Sequence, residues 1–412
     1  MSGDSDSTGG GAGGGGGNPW IGRLPALIFS HVVGTTNVVS VMAMAPVISA
    51  DLDLSAAEFG AFVSAYYAAQ AAGSMPAGAI TDRFGVGRTL VFAHILMFAA
   101  ASMLAVAVGY YQCLGAMFLM GFAYCMTNPS TARGVLDWFP RERRGTAMGL
   151  KQVGVPIGGV IAAGNGALAA HFHWQSIMWG VALLMVLNGI YCLVLVRYHV
   201  PLPADQRRSI VANLGDVLKD WNFNIYAILN GLLNVGQTNF FGFLTLFLTT
   251  VGKASQEAAG FAIGLAQTSS AVARIGWGVV SDRYFAGKRG QLMAWICGAA
   301  AVFLAAMAFV GPGPGLYAGL ALAMALGITI ASFAPVAQAI VVEAVEPRLA
   351  GSAMGVNMVG VHLGGMAGPI VFGWVVDNWG GYDAAWLVTA GIVVAGLILL
   401  LFAFKEGQPD ER

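Results

Sequence analysis

Twelve apolar runs of about 20 residues divide this chain, each long enough to cross a ~30 Å hydrocarbon layer as a helix. They fall at 24–48, 57–80, 88–109, 111–136, 146–170 and 174–197, then at 222–250, 256–281, 290–311, 314–342, 351–376 and 383–404. In hydrocarbon every backbone N–H and C=O must find its partner inside the protein, so uninterrupted runs of this kind are helices. Of 412 residues 57% are hydrophobic and 10% charged, against roughly 25% charged in an ordinary soluble domain. A water-soluble fold could not hide so much apolar surface. An all-α polytopic membrane protein is the fold class that remains.

The runs come in two matched sets. Gly78 to Arg88 reads G-A-I-T-D-R-F-G-V-G-R, and Gly278 to Arg289 reads G-V-V-S-D-R-Y-F-A-G-K-R. Asp82 matches Asp282, Arg83 matches Arg283 and Gly87 matches Gly287, all 200 residues apart. Charged turns set between apolar runs belong at the membrane surface, because an ionised group at the bilayer centre costs several kcal/mol. A second echo is shifted by 206: Ala147-Met148-Gly149 returns as Ala353-Met354-Gly355, Gly154 as Gly360, Gly158-Gly159 as Gly364-Gly365, Asp137 as Glu343 and Pro129 as Pro335. Two copies of one six-helix module are the signature of a carrier built from parallel halves. The expected organisation is a flexible tail over 1–20, a first bundle over 21–197, a linker over 198–221, a second bundle over 222–404 and a short tail over 405–412.

These residues carry a resemblance. Both turns look like the loop motif G-x-x-x-D-R-x-G-R of the major facilitator superfamily, and Gly154-Val155-Pro156-Ile157-Gly158-Gly159 resembles its fifth-helix motif. The likeness runs from about Pro25 to Phe404. It implies two pseudo-symmetric six-helix bundles, alternating access and a monomer. It also places spans 5 and 11 at the seam between halves, so Gly154-x-x-x-Gly158 and Gly360-x-x-x-Gly364 are expected to serve a rocking seam or, more simply, tight helix packing.

Basic residues set the orientation. With the tail inside, the even-numbered connections hold Arg83, Arg88, Arg141, Arg143, Arg144, Arg207, Arg208, Lys219, Arg283, Lys288, Arg289 and Arg348, while the other face's loops hold Lys253 alone. The positive-inside rule then puts both termini in the cytoplasm of a cell (inner) membrane. No cleavable signal is expected before the first span. A net charge of zero argues against nucleic acid, and Cys113, Cys125, Cys192 and Cys297 read as small packing residues. No metal spacing, phosphate loop or nucleophile–base set is present, so no cofactor, no ATP drive and no enzyme activity are expected.

The buried ionisable residues are few: His31 in span 1, Arg133 in span 4, Lys151 in span 5, Arg274 in span 8 and His362 in span 11. No Asp or Glu lies deep in any span, and an interior of unmatched cations attracts an anion. Arg274 stands eight residues before Asp282, about 12 Å in from the surface at 1.5 Å per residue. Ala273-Arg274-Ile275-Gly276-Trp277-Gly278 resembles the eighth helix of the monocarboxylate and oxalate:formate branch, which implies that Arg274 binds a substrate carboxylate through its planar fork. The alternative is a structural arginine bonded to helix carbonyls. Where oxalate carriers have a cation on helix eleven, this chain has Asn357 and His362, which fits a monoanion.

Lys151 is either a second anion contact or a side chain reaching to the interface. Arg133 is expected to pair with Asp137 one turn away. His31 and His362 are candidate proton carriers, or helix–helix hydrogen bonders. Asn37, Tyr66, Gln70 and Tyr124 could line the passage from the first half, and Asn234, Gln237 and Gln267 from the second. Asp82, Arg83, Arg88 and Asp137, with Asp282, Arg283, Arg289 and Glu343, form an expected pair of gating latches, Arg83 or Arg88 meeting Asp137. The reading is a secondary carrier of a small organic anion, its expected partners being a proton or counter-anion and the lipid bilayer. The alternatives are a drug or metabolite exporter and a non-transporting membrane sensor of the same fold.

Overall fold

The computed structural model describes residues 18–140, 143–198, 215–313, 315–346 and 349–406. Most of the two expected tails, the centre of the 198–221 linker, and Arg141, Arg207, Arg208 and Arg348 lie outside the described residues.

Twelve crossings make two six-helix bundles, with no strand among the described residues. Nine are single helices: span 2 (Ala56–Phe84), span 3 (Val86–Ala105), span 5 (Arg144–Leu168), span 6 (Trp174–Val196), span 7 (Trp221–Thr250), span 8 (Gln256–Tyr284), span 9 (Arg289–Met307), span 11 (Ala350–Asn378) and span 12 (Gly381–Phe402). Three are broken: span 1 into Leu24–Ala43 and Ala45–Asp51, span 4 into Tyr110–Tyr124 and Thr127–Trp138, and span 10 into Gly315–Ile328 and Ala334–Glu343. The reason is shared. Pro46, Pro129 and Pro335 sit in the first turn of each resumed helix, where a missing N–H leaves nothing unpaired.

The repeat extends to the caps. Ser55 accepts from the Glu58 N–H while Glu58 accepts from the Ser55 N–H, and Ser255 caps span 8 in the same position. At the charged turns the glycines with positive φ are Gly85 (82°) and Gly287 (73°), so the sequence match of Gly87 to Gly287 is not a conformational one. By length and mean hydropathy alone, seven crossings are apolar enough to span a bilayer. The remaining five are spans 2, 4, 7, 8 and 10, of which 4 and 10 are each divided by a break.

Glycine spacing builds each half rather than the seam. Gly154 and Gly158 lie on one face of span 5, and a methyl on Gly154 would come within 2.5 Å of the Ile28 carbonyl oxygen of span 1. Gly360 and Gly364 likewise seat span 11 on Ala227 and Gly231 of span 7. The rocking-seam expectation is therefore corrected: residues four apart share a face, and that face is turned to the same half. Their neighbours meet the other half instead, Gly159 against Gln267 and Gly365 against Tyr67. Gly154→Val is expected to lower the melting temperature of the purified protein, because overpacking costs about 1–3 kcal/mol.

The two halves touch at one end and part at the other. At the end away from the Asp-Arg turns, Phe59 of span 2 meets Phe243 of span 7 edge-on (ring centroids 6.2 Å), and Gly373 of span 11 packs on Ala56. Thr245 Oγ1 donates to the Met42 carbonyl at 2.7 Å, and Gln256 Nε2 to those of Ala43 and Gly166 at 2.9 Å. Asp377 accepts the N–H groups of Ala56 and Ala57 at 3.1 and 2.8 Å, a carboxylate on the open N-terminus of span 2. Toward the basic end, Ser74 and His362 still meet at 3.0 Å. Beyond them a methyl on Gly78, Gly149 or Gly355 would find no neighbour within 4 Å. Asp377→Asn weakens the closed end by about 1 kcal/mol, roughly a fivefold population shift, readable as longer spin-label distances across that end.

Candidate functional site

Span 8 presents Ser270, Arg274 and Trp277 on one face, and that face docks on the break in span 10. A broken helix leaves carbonyls without intrahelical partners, and these must be met from elsewhere. The Ala331 carbonyl takes three donors: Arg274 at 3.0 Å, Ser270 Oγ at 2.9 Å and Gln237 Nε2 of span 7 at 3.2 Å. Trp277 Nε1 donates to Ile328 at 2.7 Å. Arg274 Nε adds a long bond to Ser270 Oγ at 3.3 Å. Every partner of this guanidinium is neutral, and among the described residues no carboxylate pairs with it. Two bonds leave most of its five N–H donors unspent.

Across the seam stands Tyr124, at the break in span 4 and within electrostatic reach of Arg274. Its ring stacks on Tyr66 (centroids 6.4 Å, 26° between planes), and its hydroxyl meets Thr35 at 3.2 Å and His31 Nδ1 at 3.5 Å. His31 Nε2 reaches Thr131 Oγ1 at 2.9 Å, and Lys151 Nζ donates to the same oxygen at 3.2 Å and to Asn128 Oδ1 at 2.9 Å. Lys151 is 2% exposed, so it does not reach out to the interface. Its ammonium is spent on two neutral oxygens inside the first bundle.

The other expected lining residues divide. Tyr66, Gln70 and Gln267 are buried along the seam, Tyr66 against Tyr67, whose ring leans on His362 (6.3 Å). Asn37 is fully buried and neither amide atom has a partner among the described residues. Asn234 donates to the Val361 carbonyl at 2.7 Å, and Asn357 accepts from Asn230 at 2.8 Å. Both tie span 7 to span 11 and are structural in this state. Thr35, Thr131, Ser270 and the Ala331 carbonyl were missed, since hydroxyls and backbone groups leave no periodic trace.

The latch residues pair differently from expectation in the first half. Arg133 holds Asp137 at 2.8 Å and approaches Asp82 at 4.0 Å. Arg83 stacks on Phe84 and Arg88 is exposed; neither makes an ion pair with Asp137, because Arg133 lies one helical turn from it. In the second half Arg289 spans Asp282 and Glu343, both at 2.9 Å, while Arg283 stacks on Tyr284.

Comparison with known proteins places this architecture. The hexuronate transporter of Bacillus subtilis (strain 168) is 22% identical over 409 residues, covering 92% of this chain and 94% of its own. Monocarboxylate transporter 13 of Bos taurus is 28% identical over 306 residues, 71% of this chain and 68% of that one. The nucleoside transporter NupG (D323A mutant) superposes with a TM-score of 0.78 at 20% identity, over 93% of this chain and all of the other, a likeness of fold. The profile of the Major Facilitator Superfamily matches residues 27–325 and 228–412. This chain, a multi-pass membrane transporter of small molecules, belongs to the Major Facilitator Superfamily.

Proposed function

We propose that the chain is a secondary active carrier of a small organic anion, a monocarboxylate, working by alternating access with proton symport or anion exchange. The observation that carries this reading is Arg274, a guanidinium deep in span 8 held by Ser270 and the Ala331 carbonyl alone, with no carboxylate partner among the described residues. A half-buried cation within a span that lacks a counter-charge favours an anion over a neutral or cationic cargo. Arginine adds a fork that can hold a carboxylate through two bonds. Two relatives named above are named for hexuronate and monocarboxylate, both carboxylate cargoes, which supports the reading.

The orphaned amide of Asn37 can both donate to and accept from a hydroxylated cargo. The end bearing the Asp-Arg turns is taken as cytoplasmic, in a cell (inner) membrane, so the parted halves correspond to a state open to the cytoplasm. The Arg133 and Arg289 ion pairs then act as half-by-half latches at that mouth, and His31 and His362 carry the coupling proton. The protein works as a monomer. A thermal-shift screen of small carboxylates at two pH values tests the reading, since a ligand that binds the folded form raises its melting temperature. Stabilisation by carboxylates is expected, and it disappears in Arg274→Gln. Equal stabilisation of both proteins by lipophilic cations, with none by carboxylates, would favour a drug exporter.

A further inference from the structure

Valence assigns the hydrogens around His31. The Thr131 hydroxyl has carbonyl acceptors at Thr127 (2.8 Å) and Asn128 (3.1 Å), and while its one hydrogen goes to either of them its oxygen accepts from its other neighbours. In that arrangement Lys151 donates into the oxygen at 3.2 Å, and His31 Nε2, at 2.9 Å, carries a hydrogen to bond there too. Nδ1 is then the His31 atom that gains or loses a proton. It faces the Tyr124 hydroxyl at 3.5 Å, a long bond that breaks with little cost.

Tyr124 has one hydrogen and more than one place to put it. Beside a neutral His31 it donates to Nδ1. Once Nδ1 takes a proton, Nδ1 becomes the donor and the tyrosine hydrogen must turn away, in this state to Thr35 Oγ1 at 3.2 Å. The ring itself cannot follow. It is pinned between Tyr66 and Gly34, where even one added methyl would collide with it.

We propose that Tyr124 links proton to cargo: a proton on His31 Nδ1 releases the tyrosine hydroxyl to donate to the carboxylate held by Arg274. This rests on the organic-anion reading above and adds a specificity-determining residue to it. The groups facing His31 make the two bindings cooperative. From span 5, Lys151 shares Thr131 with it, so charging the imidazole sets two cations on one oxygen and is resisted. From span 4 comes Tyr124, backed by Tyr66 of span 2. No carboxylate is among its partners in the described residues. An anion at Arg274 supplies the missing negative charge, offsets Lys151 and draws the proton in. Proton and anion therefore enter together, with no bond made or broken beyond the transferred proton.

The test measures equilibrium binding of radiolabelled D-glucuronate, with L-lactate in parallel, to the purified full chain from about pH 5.5 to about pH 8, the range in which imidazole titrates. Wild type is expected to lose affinity by up to roughly tenfold per pH unit as the linked proton leaves. Tyr124→Phe keeps the ring and its stacking, and is expected to give a markedly shallower profile than wild type, since only the part of the linkage carried by charge alone remains. Thr35→Ala is expected to keep the wild-type slope, which separates the switch from general disturbance of the cluster. A Tyr124→Phe profile as steep as wild type overturns the proposal, as does a flat wild type. Arg274→Gln reads the anion assignment by itself: binding equal to wild type there removes the assignment, whatever Tyr124 does. A chain that binds neither probe overturns both.

Discussion

Arg274→Gln is expected to lower carboxylate affinity by on the order of 100-fold while leaving the protein folded. The size follows from what is removed: a charge-assisted pair of hydrogen bonds contributes about 3 kcal/mol, and each 1.4 kcal/mol is a factor of ten. The fold survives because glutamine still offers N–H donors to the Ala331 carbonyl, which keeps Ser270 and Gln237 as well. Arg274→Lys separates charge from geometry. It retains the cation but loses the planar fork, so an intermediate loss of about tenfold is expected. Competition binding against a radiolabelled carboxylate, with size-exclusion elution as the folding control, measures both variants. An Arg274→Gln protein that elutes normally and binds as well as wild type is the contrary outcome.

The second large effect concerns the closed end. Phe243 is fully buried, stacked on Phe372 at 4.3 Å within its own half and set against Phe59 of the other. Truncating such a ring leaves a cavity that costs about 3–5 kcal/mol. Phe243→Ala is therefore expected to cut the melting temperature sharply. Part of the loss falls on the seam, so the surviving folded protein should also show the two halves moving apart at that end. Spin labels placed across it would lengthen in distance and broaden in distribution. A folded variant with unchanged distances would mean that the aromatic contact stabilises the second bundle alone and does not hold the halves together.

Much of the architecture was legible because repeats and apolar runs are properties of sequence. The twelve crossings, the matched halves and the second-half ion pair of Arg289 with Glu343 follow from spacing and charge. The breaks in spans 4 and 10 could have been read from Pro129 and Pro335, which recur at the same shift. What spacing cannot tell is which way a face turns. Gly154 and Gly158 look identical whether they meet span 1 or the opposite half, and the next residue, Gly159, proves to be the one at the seam. Asp137 illustrates the same limit, since three arginines lie close enough in sequence and fold, and the one a single turn away on its own helix holds it.

The site was half visible. Arg274, His31, Tyr124 and Lys151 stand out as charges or large polar groups in apolar helices. The groups that organise them do not. Thr131 joins His31 to Lys151 through a hydroxyl, and the Ala331 carbonyl anchors Arg274 through a helix break. Neither differs in composition from its neighbours. Asn234 and Asn357 show that an amide in an apolar helix can also fasten spans, here 7 to 11.

The most direct measurement compares D-glucuronate with D-glucose, two ligands of nearly the same shape of which one carries a carboxylate. If an unmatched guanidinium governs what enters, D-glucuronate raises the melting temperature of the wild-type protein and D-glucose leaves it unchanged. Equal stabilisation by the neutral sugar would contradict the account at its centre.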